Sequence, residues 1–153
     1  MNAPKSDKRQ KQLRRAGKLL RRLLVASRSR LDEELKPQEV TSAQLRMLYE
    51  VRERPGASGA QLARACAVTP QTAQAMLARA VQRGWLARGK DAENHRLVTF
   101  RLTGAGVRML EHGEAAARGI ETQVWRGIRN EEVAALSATL ERALANIAHD
   151  EKL

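Results

Sequence analysis

A short polar segment carries side chains that suit contact with the edges of nucleic-acid bases. After Thr69 and Pro70, one predicted helix face points outward and carries Gln71, Thr72, Gln74, Ala75 and Ala78. A glutamine amide can pair with adenine through two hydrogen bonds, and a threonine or alanine methyl group can touch the thymine methyl group. We therefore interpret Gln71, Thr72 and Gln74 as candidate base contacts at a site containing A·T pairs, with Ala75 adding an apolar contact. The alternative is a solvated helix face without specificity.

Groups that attract anions lie close to this segment. Arg79 and Arg83 fall towards the end of the same predicted helix, where they suit contact with phosphate. Ser58 and Thr69 each begin a predicted helix, and the free amides at a helix N-terminus attract anions. Pro70 takes the first helical position, where its missing amide donor costs nothing. Together these residues predict a surface that holds a phosphate backbone.

The charge of the whole chain favours an anionic partner. It carries 28 Lys and Arg against 17 Asp and Glu, a net charge of +11. Residues 1–30 hold 11 basic residues and one acidic residue, and residues 58–110 hold eight and two. We interpret the first run as a flexible basic arm over residues 1–10 followed by the wet face of a helix, which can also touch phosphate. The second run coincides with the polar segment described above.

Composition excludes several classes of protein. Cys66, the single cysteine, and the three histidines His95, His112 and His149 show no metal-ligand spacing, and no catalytic constellation is present, so we expect no enzyme, metal or cofactor. Four aromatic residues are too few for the stacking platforms of single-strand binders, which leaves duplex nucleic acid. No secretory signal or run of about 18 apolar residues is visible, so we expect a cytoplasmic protein with no membrane partner.

Helical periodicity dominates the N-terminal third of the chain. Leucines and small residues recur every three or four positions and predict a long amphipathic helix over about residues 11–36, which Pro37 ends. Thr41 followed by Gln44 predicts a capping box for a second helix. The inward residues of that helix are predicted to be Leu45, Leu48 and Val51.

The middle of the chain predicts a helix-turn-helix followed by a hairpin. Ser58 with Gln61 forms another capping box and opens a short helix, and Thr69 caps the next helix, which runs until Gly84. Their inward residues are predicted to be Leu62, Ala65, Ala73, Met76, Leu77 and Ala80. Alternating residues after Gly84 then predict two strands around a polar tip over residues 89–95. On the second strand Val98, Phe100 and Leu102 are expected to face the core, with Thr99 and Arg101 outward.

Two further helices complete the predicted fold. Thr103 caps a helix that reaches Ile128 with a break expected near Gly119, and Asn130 caps a last helix with Val133, Leu136, Leu140, Leu144 and Ile147 on its apolar face. The fold class is therefore mainly α, with a small β-hairpin (α+β). The apolar stripes of the terminal helices are too extensive for one small domain to cover, so they need a partner.

The order of elements and several segments resemble the MarR family of bacterial winged helix-turn-helix regulators. The similar segments are residues 41–48 (TSAQLRML), 61–63 (QLA), 68–72 (VTPQT), 83–88 (RGWLAR) and, above all, 91–106 (DAENHRLVTFRLTGAG). Two residues depart from the family pattern. Asn94 stands where the family usually has the aspartate that braces the wing arginine, which predicts a less rigid wing. Ala75 stands where many members carry a polar or basic residue.

The resemblance implies both the DNA contacts and the assembly. Arg96 of the wing is expected to enter the minor groove, with Arg88 and Lys90 on the backbone; a plain surface charge is the alternative for Arg96. Residues 41–102 are expected to form the DNA-binding lobe, and residues 11–36 and 103–150 the dimerisation helices. The predicted dimer contacts are Leu13, Leu20, Val124, Ile128, Leu136, Leu140 and Leu144, whose alternative role is in an intramolecular core.

The sequence thus predicts a homodimeric, sequence-specific double-stranded-DNA-binding transcriptional regulator, acting as a repressor on a pseudo-palindromic operator. Two alternatives stay open: a nonspecific architectural protein of the nucleoid, and a winged-helix module for protein contacts. The resemblance also implies release by a small aromatic or phenolic effector, with Arg22, Arg46, Tyr49 and His112 as candidate pocket residues, although their role as surface or interface side chains is preferred. Cys66 is expected to be an inert packed thiol, not a redox sensor.

Overall fold

The fold is helical apart from one hairpin. The computed structural model describes the backbone of residues 3–90 and 96–150 and the side chains of residues 7–90 and 96–148. The elements in chain order are α1 (Ala3–Leu35), a 3-10 turn (Lys36–Gln38), α2 (Ser42–Glu53), α3 (Gly59–Ala65), α4 (Pro70–Gln82), β1 (Leu86–Lys90), β2 (Val98–Leu102), α5 (Gly104–Val124) and α6 (Asn130–Asp150). The predicted order of elements is confirmed, and the fold is a winged helix-turn-helix extended by helices at both ends.

Helix α1 begins at Ala3 and not near residue 11, so residues 3–10 of the predicted basic arm are helical. Lys, Arg, Gln and Ala are all strong helix formers, and the proline of this stretch lies in the first turn, where it is tolerated. At the other end, Leu35 is fully buried and Leu31 packs against the core. Most of the apolar stripe between these ends is exposed to solvent, including Leu13 and Leu20.

Helices α2, α3 and α4 pack around one core, in which Leu48, Leu62 and Leu77 are almost fully buried. Both predicted capping boxes are present, at the starts of α2 and α3. The cap of α4 is also confirmed, because the Thr69 side chain accepts a hydrogen bond from the Thr72 amide. The prediction that Ala65 faces the core is only partly right, because Ala65 is half-buried. Ala63, two residues earlier on α3, is buried instead.

The hairpin pairs Leu86 with Leu102 and Lys90 with Val98. The expected alternation holds for the buried Phe100 but is wrong at two positions, because Thr99 is buried and Val98 is 47% exposed. Thr99 is covered because its backbone also bridges to Ser58, which brings a third segment against the strand. Val98 pairs with the last residue of β1, and among the described residues no third segment bridges to it. The predicted hairpin tip over residues 89–95 is wrong for Gly89 and Lys90, which belong to β1 and pair with Thr99 and Val98. The rest of the predicted tip, residues 91–95 including Asn94, lies outside the described residues.

Helix α5 runs without interruption past Gly119, so the expected break there is wrong. It ends at Val124 and not at Ile128, because the chain turns at Gly127, whose φ of 76° is in the left-handed region. Its start is fixed by Thr103, whose hydroxyl accepts from the Gly106 amide at 3.1 Å. An ion pair of 2.6 Å between Arg52 and Glu114 connects α2 to α5.

The chain divides into two compact units, the first ending at Ile120 and the second beginning at Glu121. The second contains the end of α5 and the whole of α6. Asn130 is the first helical residue of α6 and not its cap, because the Arg129 amide before it donates to the Glu132 carboxylate. The Arg129 side chain donates to the same carboxylate, and its hydrogen bond, followed by that of the amide, lowers the pKa of Glu132. Leu144 and Ile147 of α6 are more than 60% exposed. No helix in the described part of the chain is long and apolar enough to cross a bilayer.

Candidate nucleic-acid interface

The outward face of α4 carries the residues predicted to contact bases. Gln71, Thr72, Gln74 and Ala75 are all exposed, whereas Ala73 and Leu77 on the opposite face are buried. This division follows from the 3.6-residue period of the helix, because the buried residues lie four positions apart. The side chains offered to solvent are two amides, one hydroxyl and one methyl group, which can donate to, accept from and pack against base edges.

The first turn of α4 is held by its own side chains. The Thr69 hydroxyl accepts from the Thr72 amide at 3.1 Å, and the two threonine hydroxyls lie 2.8 Å apart. Pro70 follows Thr69 at the first helical position. The contact between the two hydroxyls restrains the rotamer of Thr72. The N-terminal end of α4 is thus ordered before any ligand arrives, which lowers the entropy cost of binding.

A groove of about 460 Å³ lies between α4 and the hairpin. It brings together four residues of the predicted site, namely Ser58, Pro70, Gln74 and Arg88. Two apolar residues that the sequence did not assign to the site, Leu97 and Val98, also line it and are 44% and 47% exposed. The alternating pattern had placed Val98 in the core, so the sequence carried no signal for its position in the groove.

The described parts of the hairpin carry the three cationic side chains of the predicted wing, of which Arg88 lines this groove. Arg88 and Lys90 lie on β1 and are exposed, and the exposed Arg96 precedes β2 by two residues. The three residues predicted to contact the DNA backbone and the minor groove are therefore all accessible to a ligand.

Arg83, predicted to contact phosphate, already has partners within the protein. Its Nη2 donates to the backbone carbonyls of Gln38 at 2.8 Å and Glu39 at 3.3 Å, and its Nη1 lies 3.0 Å from Glu39 Oε2. The guanidinium carbon is 5.0 Å from the centre of the Trp85 ring. Arg79, one turn earlier, donates more weakly to the Glu39 carbonyl at 3.5 Å and is exposed.

The candidate effector residues are only partly brought together. Arg46 lies 5.8 Å from the centre of the Tyr49 ring and also pairs with the buried carboxylate of Glu50 at 2.5 Å. Arg54, one turn further on, pairs with the same carboxylate. Arg22 and His112 are exposed. Because Arg46 neutralises a buried charge, its position has a structural explanation that needs no ligand.

Cys66 follows α3 directly and is half-buried, with its Sγ 3.9 Å from Sδ of Met47. Burial raises the pKa of the Cys66 thiol, and the charges of Arg46 and Arg54 only partly oppose that effect. A thiol in this environment is mostly protonated at neutral pH and is therefore a poor nucleophile.

Comparison with known proteins agrees with the geometry. A family model described as MarR family matches residues 38–97. The HTH-type transcriptional repressor Rv2887 of Mycobacterium tuberculosis is 30% identical over 108 residues, which cover 71% of this chain and 78% of that protein. A mutant of MarR from E. coli, solved in complex with operator DNA, is 25% identical with a TM-score of 0.74, covering 84% of this chain and 92% of its own.

A MarR family transcriptional regulator from Silicibacter pomeroyi is also 25% identical, with a TM-score of 0.73 and coverage of 86% of this chain and 89% of its own. These similarities extend beyond the winged helix-turn-helix into the flanking helices. The chain belongs to the MarR family of transcriptional regulators.

Proposed function

We propose that the protein is a homodimeric, sequence-specific double-stranded-DNA-binding regulator that represses transcription. The observation that carries this proposal is the exposed row of Gln71, Thr72 and Gln74 on α4 beside the groove that leads to the hairpin. The MarR protein solved with operator DNA and the relative named as a transcriptional repressor support the same function.

In the proposed complex α4 lies in the major groove and its N-terminal half faces the bases. Gln71 and Gln74 pair with adenine edges, while the methyl groups of Thr72 and Ala75 pack against thymine methyl groups. The DNA phosphates beside these base pairs are bound by backbone amides in the first turns of α3 and α4, which follow the caps Ser58 and Thr69 and include Pro70 at the start of α4. The exposed side chain of Arg79 binds a further phosphate. Phosphate contacts position the protein, and the α4 side chains select the sequence.

The hairpin acts as the wing of the complex. Arg88 and Lys90 contact the backbone, and Arg96 enters the adjacent minor groove, where a narrow A·T stretch concentrates negative potential. The exposed Leu97 and Val98 lie in the groove between wing and α4, where they are positioned to pack against deoxyribose or base methyl groups.

The proposed dimer is formed by the terminal helices. Within the first unit, Leu13 and Leu20 of α1 are exposed; within the second, Leu136 and Leu144 of α6 and Ile128 before it are exposed as well. Full burial of a completely exposed leucine contributes about 1.5–3 kcal/mol, so covering the remaining surface of a half-exposed leucine contributes roughly half of that. Val124 and Leu140, both half-buried, complete the proposed interface. A twofold dimer requires a pseudo-palindromic site with half-sites about 10 base pairs apart.

Release by a small aromatic or phenolic effector stays a prediction. Of its four candidate residues, Arg46 and Tyr49 lie near each other, and the pairing of Arg46 with Glu50 supports a structural role for Arg46.

The proposal is tested by selecting duplexes from a random-sequence library with the purified protein at physiological salt. We expect enrichment of a pseudo-palindrome, and we expect Gln74→Ala to relax selection at one base position in each half-site at a cost of about 1–3 kcal/mol. Arg96→Ala should weaken binding without lowering the unfolding temperature. Gln82→Ala is the matched control, because Gln82 is an exposed glutamine at the other end of α4.

Two results would replace the proposal with one of its alternatives. A steep salt dependence with equal affinity for selected and scrambled duplexes would indicate an architectural protein. Failure to bind any duplex at low salt would indicate a module for protein contacts.

A further inference from the structure

The side chain of Arg83 joins the end of α4 to the α1–α2 junction, which we define as residues 36–41. Its Nη2 donates to the carbonyl oxygens of Gln38 and Glu39, and its Nη1 pairs with the Glu39 carboxylate. Two of these three partners are backbone atoms. Arg83 therefore fixes the main chain of the junction, and not only a mobile side chain.

The junction presents these carbonyls because of how its backbone turns. The 3-10 turn Lys36–Gln38 is followed by Glu39, whose φ of 53° is in the left-handed region. The last carbonyls of a helix have no partner within the helix. A planar guanidinium with five donors can meet two carbonyls and a carboxylate together, whereas a lysine ammonium lacks that flat, forked arrangement.

The junction is itself firmly anchored on both sides of Glu39. Leu35, at the end of α1, is fully buried, and Val40 is 2% exposed. Arg79 adds a second, longer hydrogen bond to the Glu39 carbonyl. The C-terminal end of α4 is thereby attached to the α1–α2 junction, and the N-terminal half of α4 carries the proposed base contacts.

We propose that Arg83 is a positioning residue for DNA binding, which sets the direction of α4 through the α1–α2 junction, in place of the phosphate contact that the sequence predicts. This inference rests on the proposed function. Gln71 lies 12 residues before Arg83, about 18 Å along the helix, so a tilt of about 3° at the fixed end displaces it by about 1 Å. A displacement of that size is enough to break a hydrogen bond to a base edge.

The two roles of Arg83 make different predictions about DNA binding. A lost phosphate contact weakens binding to all sequences and reduces the salt slope by about one per contact. A lost positioning contact weakens binding to the selected sequence, while nonspecific binding and the salt slope are unchanged. If Arg83 contributes only to stability, its substitution leaves the affinity for both the selected and the nonspecific sequence unchanged at a temperature where the variant is fully folded.

The test compares wild type, Arg83→Lys and Arg83→Ala on two duplexes, one enriched by the wild type from a random library and one scrambled version of it. We expect both variants to lose about tenfold on the enriched duplex and to keep the wild-type affinity and salt slope on the scrambled duplex. Arg88→Ala, which removes a proposed phosphate contact, is the control that should weaken binding to both. Wild-type binding by Arg83→Lys, or equal losses on both duplexes, would overturn the proposal.

Hydrogen exchange of the free protein tests the same contact without DNA. In Arg83→Lys, which retains the charge and is expected to fold, the amides of the α1–α2 junction should exchange faster than in the wild type. Unchanged exchange there would overturn the proposal. A wild-type protein that fails to enrich any duplex would refute the proposed function, and the exchange experiment would still decide whether Arg83 fixes the junction.

Discussion

Cys66 is the residue with the most distinctive chemistry outside the proposed interface. It lies against Met47, and burial raises the pKa of its thiol. Deprotonation of a group with a raised pKa begins at higher pH than in a free cysteine, so the reactive thiolate is scarce at neutral pH.

We expect Cys66 to react with iodoacetamide more slowly than a small free thiol at pH 7.5, with a rate that rises as the pH approaches its raised pKa. Hydrogen peroxide should leave the affinity for DNA unchanged. Cys66→Ser is the control, because it retains the size of the side chain without the sulfur. Peroxide-dependent loss of DNA binding in the wild type but not in Cys66→Ser would contradict this prediction and establish a redox switch.

At the residue scale, local signals were predictable from sequence and distant partners were not. The caps at Thr41, Ser58 and Thr69 depend on atoms three residues away, so their sequence patterns are sufficient. The burial of Thr99 depends on a bridge to Ser58, 41 positions earlier. The hydrogen-bond partners of Arg83, Gln38 and Glu39, are likewise more than 40 positions away, and a surface arginine gives no sequence signal of such a contact.

Helix α5 shows how glycines within one element can have different roles. A Cβ at Gly106 would lie 2.0 Å from the backbone oxygen of Trp85, the same oxygen that accepts from the Thr103 amide. A Cβ at Gly119 would meet nothing within 4 Å. The first glycine permits close approach of α5 to the hairpin, and the second only reduces helix propensity.

We therefore expect opposite effects from the same substitution at these two positions. Gly106→Ala should lower the free energy of unfolding by about 1–3 kcal/mol or more, because the obstructing atom belongs to the backbone and α5 must move. Gly119→Ala should raise it by up to about 1 kcal/mol, because alanine favours the helix. Urea denaturation of both variants measures the difference. A stable Gly106→Ala variant would show that α5 does not pack so closely on the hairpin.

At the scale of elements, the type and order were predictable but several ends were not. Pro37 and Gly84 interrupt helical periodicity and gave ends close to those observed. The start of α1 had no such signal, since residues 3–10 are both highly charged and good helix formers. The end of α5 was predicted at the wrong residue because the sequence does not show which glycine ends the helix. Of Gly119 and Gly127, only Gly127 adopts a left-handed φ.

Helix α1 exposes a stripe of leucines along one face. In α1, Leu13, Leu20 and Leu24 share a face and are at least 43% exposed. Large apolar patches on a soluble protein mark sites of association. This surface is the physical basis for the proposed dimer, and the sequence alone indicated it through the three- and four-residue spacing of these leucines.

We expect the protein to sediment as a dimer and Leu20→Glu to shift it to the monomer at micromolar concentration, because each dimer would bury two carboxylates without partners. Val25→Glu is the control, since Val25 is also exposed but lies about 140° around the helix from Leu20. Sedimentation velocity distinguishes the species. A monomeric wild type, or dissociation by Val25→Glu but not Leu20→Glu, would contradict the proposed interface.

The attachment of Arg83 to Gln38 and Glu39 also determines where the protein could be cut to make a chimera. A graft that begins at Thr41, the boundary suggested by sequence, would leave behind both carbonyls that Arg83 holds and would open the core at Leu35. The smallest transplantable module must therefore include the last turn of α1. To transfer this DNA-binding specificity to another scaffold, the chain should therefore be joined within α1, upstream of Leu31, and not within the α1–α2 junction.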